Sequence, residues 1–99
     1  MTLKEFNELI NPFFDKEFQL RVIKGAEYAP DKQDVLSNFK QVARLIGVTP
    51  TQACLIFLMK HIFSICDSAI RDVPDLDSKI CDARNYLLFY AALHHETKD

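Results

Sequence analysis

Apolar residues recur along this chain at helical spacing, and no segment alternates apolar and polar positions over the length of a strand. Thr2 is placed to cap a short helix through Ile10, which Asn11-Pro12 ends. A second helix is expected from Phe14 to Tyr28. Its apolar positions are Phe14, Phe18 and Val22, with Ile23 and Ala26 alongside, and Ala29-Pro30 ends it. Asp31 is an N-cap candidate for a third helix striped by Val35, Phe39, Val42, Ala43 and Ile46, with Gly47 at the left-handed position after its end. Thr49-Pro50-Thr51-Gln52 reads as a capping box with proline at the first helical position. The fourth helix that follows, to Cys66, is apolar nearly all round and is expected at the centre of the fold. After Pro74, Asp75 or Asp77 caps a fifth helix to about His95. Ile80, Ala83, Leu87, Leu88 and Ala91 are its expected core face, and Asp82, Asn85, Tyr86 and Phe89 an adjacent one.

The expected fold class is all-α: an antiparallel bundle of four main helices plus a short N-terminal helix, in a single domain over residues 1–99. A core this small leaves the apolar fourth helix hard to cover from within one chain, so a homo-oligomer, most simply a homodimer, is expected. The net charge of −2 argues against nucleic acid as a partner, since phosphate binding calls for a basic excess. No run is long and unbroken enough to span a membrane, because Lys60-His61 interrupts the most apolar stretch, and the start has no signal-peptide pattern. Cys54, Cys66 and Cys81 are odd in number, widely spaced and set among apolar neighbours. They read as buried thiols of a cytoplasmic protein rather than as disulfides or metal ligands.

Candidate chemistry begins with Lys60 and Asp82, a cation and a carboxylate on the two most apolar helices. Either Lys60 snorkels to solvent and Asp82 is a carboxylate near a helix N-terminus, or the two share a polar pocket for an anionic ligand or a metal–phosphate group. Lys60, Ser64, Asp67 and Arg71 recur at steps of four, three and four and form one polar seam. Lys24 and Tyr28, four apart, share a helix face, with Glu27 beside them. Asn38 lies away from the main apolar stripe of its helix. No metal site of His and Cys, no glycine-rich phosphate loop, no cofactor motif and no nucleophile–base pair is legible.

In order, Lys24, Glu27-Tyr28, Asn38-Phe39, Lys60 and Asp82-Ala83-Arg84-Asn85-Tyr86 resemble a small helical family common in phage genomes, the nucleotide modification associated domain, type 1. The resemblance covers roughly residues 22–93, with Glu27 where aspartate is more usual and Ala29-Pro30 where a glycine usually follows the tyrosine. It implies a nucleotide-like small-molecule ligand. Lys24 and Lys60 would meet phosphate, Asn38, Asp82 and Asn85 base or sugar groups, and Tyr28 or Tyr86 would stack on the base. The architecture is similar to that of MazG-type nucleoside triphosphate pyrophosphatases, but their acidic Glu-Glu-x-x-Glu cluster is missing. A reduced magnesium-dependent pyrophosphatase using Glu27 and Asp82 is therefore one rival reading. The other is an interaction module, for example a phage inhibitor of a host protein.

Overall fold

The computed structural model describes residues 1–28 and 34–98, the side chains of 24–28, 97 and 98 excepted. Among these residues the protein is all helical, with α1 at Leu3–Tyr28, α2 at Ser37–Ile46, α3 at Pro50–Asp67 and α4 at Leu76–Lys98. The two expected N-terminal helices are one. Thr2 does cap it, its hydroxyl accepting from the Glu5 N–H at 3.1 Å while the Glu5 carboxylate accepts from the Thr2 N–H at 3.3 Å. The helix then runs on through Pro12. A proline removes the bond to the carbonyl four residues earlier, here that of Glu8. Glu8, Asn11 and Pro12 are all exposed, so water can take up that carbonyl.

The turn between α2 and α3 follows the sequence closely. Gly47 adopts φ 75°, and its N–H and that of Val48 return to the Ala43 carbonyl. Thr49 and Gln52 then form the reciprocal capping box with Pro50 opening α3. This corner turns the chain by 99°. At the start of α4, Asp75 sits at φ 58°, and its carbonyl accepts from the Lys79 N–H at 3.1 Å. Aspartate tolerates that left-handed geometry better than most residues. The expected cap at Asp31 lies outside the described residues.

The central position is shared by α3, as expected, and α4, which pack on each other. α1 packs on the outer side of α4, and α2 on α3. The core joins Leu36, Phe39, Cys54, Leu58, Ala83, Tyr86 and Leu93. On α4 the expected core face holds at Ala83, which is buried, and fails beyond it: Leu87 is 52% and Leu88 51% exposed, and Ala91 is exposed, whereas Cys81, Asn85 and Tyr86 are buried. The reason lies in what flanks the helix, with α1 against Cys81 and Asn85 and α3 against Tyr86.

On α1 the same reversal appears. Phe14, Phe18 and Val22 are 46–58% exposed, and Glu17 is the residue buried against α4. The Cys81 thiol reaches the Phe13 carbonyl and the Asn85 amide reaches the Glu17 carbonyl, each pair 68 residues apart. A constant offset means that α1 and α4 run in the same direction, so this pair departs from the expected antiparallel order. No single helix among the described residues is long and apolar enough to cross a membrane.

Candidate functional site

A polar cluster sits between α1 and α4. Asn85, 5% exposed, accepts from Arg21 Nη1 at 2.9 Å through its Oδ1 and donates to the Glu17 carbonyl at 3.3 Å. Glu17 is itself 3% exposed, and Arg84 Nε lies 2.7 Å from its Oε1. That separation is an ion pair, but the N–H is not aimed at the oxygen, so Oε1 has a charge partner and no aligned hydrogen bond. The Arg84 guanidinium also lies over the Phe14 ring, 5.0 Å from its centroid. A buried carboxylate and amide tied to two arginines fix how α1 sits on α4, because a shift of either helix would leave one of them unsatisfied. Glu17 and Arg21 carried no motif in the sequence. Their only signal is a charged pair four residues apart, interleaved with the Phe14-Phe18-Val22 stripe.

The second cluster is aromatic. Tyr86, 5% exposed, is surrounded by Phe39, Phe57, Phe89 and His61, with ring centroids 6.0, 6.2, 6.2 and 4.8 Å away. His61 and Phe57 stack on it, and the other two meet it edge-on. Among the candidates, this places Tyr86 and Asn85 in the packed interior, one in the aromatic core and one in the α1–α4 network. Lys60 is exposed on α3 and makes no hydrogen bond or ion pair with Asp82 among the described residues. Asp82 and Asn38 are half-buried. The side chains of Lys24, Glu27 and Tyr28 lie outside the described residues. Of the polar seam, only Asp67 and Arg71 pair, at 3.1 Å on the surface.

Cys54 and Cys81 are buried as expected, whereas Cys66 is exposed. Burial pushes the Cys54 thiol up to about 11. Burial raises Cys81 as well, and the nearby Glu17 charge adds to the shift. Neither is poised as a nucleophile. No group of three or more His, Cys, Asp or Glu able to hold a metal ion occurs among the described residues.

A third polar feature joins Lys40 to Asp34 at 2.6 Å and to Glu96, linking α2 and the segment before it to the end of α4. The hydrogen bond from Lys40 holds the Asp34 carboxyl below its usual value, and those from Asp34 and Glu96 raise Lys40.

The outer surface is apolar to an unusual degree. On α3, Leu55, Ile56, Met59 and Phe63 are 39–63% exposed and follow one another at steps of one, three and four. That spacing places them in a single outward stripe, with Cys66 continuing it and Lys60 along its edge. No family model matches this chain, and neither a curated protein nor a solved structure proves similar to it.

Proposed function

We propose that this chain is a protein-interaction module that receives an amphipathic helix of another protein on the outward stripe of α3. The observation that carries this reading is the stripe itself. Four large apolar side chains stay in water along a helix whose opposite face is well packed, and contiguous apolar surface of this kind marks interaction sites. Lys60 borders the stripe with no partner of its own among the described residues, so the complementary helix would carry an acidic residue beside its apolar face.

The test is native mass spectrometry of protein taken directly from the cells in which it occurs. A second polypeptide should be retained by the wild type and lost from Phe63→Glu and Lys60→Glu. A stoichiometric small molecule, with no polypeptide whose retention depends on Phe63, would overturn the reading.

Binding of a nucleotide-like molecule is the second reading. The position of Arg21 favours it: its Nη1 lies 2.9 Å from Asn85 Oδ1, so a cation stands beside a residue that the resemblance assigns to the ligand. A panel of nucleotides that raises the melting temperature of the wild type, and fails to do so for Asp82→Asn, would support it.

A further inference from the structure

We infer that a second copy of this chain docks on the face formed jointly by α1 and α4. This does not depend on the reading of α3 above. Arg84 lies over Phe14, and on α4 the positions three, four and seven residues beyond Arg84 are Leu87, Leu88 and Ala91, all exposed. Those steps keep one side of a helix, so Leu87, Leu88 and Ala91 open to the same side as Phe14. Phe18, one turn beyond Phe14, extends this surface along α1. Arg84 does not interrupt it. Its charge is already paired with Glu17 and its plane lies on an aromatic ring, so an apolar surface can cover it without stranding a cation.

The size of the uncovered surface points to the occupant. The chain exposes 7101 Å². A folded monomer of its mass, 11.4 kDa, is expected to expose about 5,800 Å². The excess, roughly 1,300 Å² per chain or some 2,600 Å² for two, is shared by this face and the α3 stripe, and more than half of it meets the roughly 1,600 Å² of a standard interface. The radius of gyration, 15.2 Å, likewise exceeds the roughly 13 Å of a compact chain of this length.

Topology supplies the remaining reason. α1 and α4 run side by side in one direction, a two-helix layer with one apolar face open. A two-fold axis perpendicular to them lays an identical layer on top with its helices reversed. The result is a four-helix bundle in which facing helices oppose their dipoles and the same patch serves both partners.

The test is sedimentation equilibrium of the full chain at tens of micromolar, with melts at several concentrations. The wild type should run at about 23 kDa, twice one chain, and melt higher as concentration rises. Leu88→Ala and Phe18→Ala, which remove contacts without burying a charge, should each raise the dimer dissociation constant at least about tenfold. Leu88→Glu should abolish the dimer, and Ile56→Glu on α3 should leave it intact. If Leu88→Glu does not fold, the alanine variants carry the comparison. A wild-type monomer with a concentration-independent melt overturns the inference. So does a dimer that survives the α1 and α4 substitutions but is lost in Ile56→Glu, or a different protein seated on the α1–α4 face of a monomer.

Discussion

Replacing Tyr86 by alanine tests most directly whether that ring is core or a ligand platform. The ring is 5% exposed and ringed by Phe39, Phe57, Phe89 and His61. A buried tyrosine removes roughly 200 Å² from water, and alanine retains a minor part of that. At about 25 cal/mol per Å² the lost transfer term is near 3 kcal/mol. Aromatic neighbours carried on three helices, α2, α3 and α4, cannot collapse fully into the gap, so a cavity term brings the cost to about 3–5 kcal/mol. A domain of this size loses roughly 4–8 °C of melting temperature per kcal/mol, which puts the fall at roughly 12–40 °C. Tyr86→Phe keeps the ring and should cost less than about 1.5 kcal/mol. The assay is thermal and urea unfolding followed by circular dichroism, all proteins at one concentration so that self-association does not enter the comparison. Tyr86→Ala melting within a few degrees of the wild type would refute the placement of this ring in the core.

Two further outcomes follow from the clamp and the thiols. The Asp34 carboxyl is lowered from 3.8, so its contribution is present above that value and is lost as pH falls through the lower folded value. Lys40 is raised from 10.5, so its contribution holds below that value and is lost as pH rises through the higher folded one. Between these limits the clamp, partly exposed, should be worth no more than about 1 kcal/mol. Melts across pH should show Lys40→Met losing that increment in the plateau and converging with the wild type at both extremes. Separately, a thiol reagent at pH 8 should label Cys66 alone in the folded protein and all three cysteines in denaturant, since Cys54 and Cys81 are buried. Fast labelling of Cys54 in the folded state would contradict the packing of α3 on α4.

The elements whose signals are local were readable in the sequence. Gly47 and the Thr49–Gln52 box fix the α2–α3 turn through groups within a few residues of one another, and Thr2 caps as expected. Pro12 was misleading because its cost depends on whether the Glu8 carbonyl meets water or protein, which is a tertiary property. The apolar faces were misleading for a related reason. Spacing marks Leu87, Leu88, Phe14 and Phe18 as a face to be covered, but not whether the cover comes from the same chain. Of the candidate site, the placement of Asn85 and Tyr86 on one helix was legible. Their engagement by Arg21, Glu17 and the aromatic cluster was not, since those contacts join residues far apart in sequence. The side chains of the candidates Lys24, Glu27 and Tyr28 lie outside the described residues.

The same-direction pairing of α1 with α4 also sets the order in which this protein can be built. α1 leaves the ribosome before α2 and α3 and finds its main partner in α4, across a separation of 68 residues. Until α4 is synthesised, the Phe13 and Glu17 face of α1 has no native cover, while α2 and α3 can already close their corner on one another. The nascent chain therefore passes through a stage in which the α4-facing side of α1 is uncovered. That interval is when a chaperone, or a neighbouring copy on the same messenger, has the best access to it.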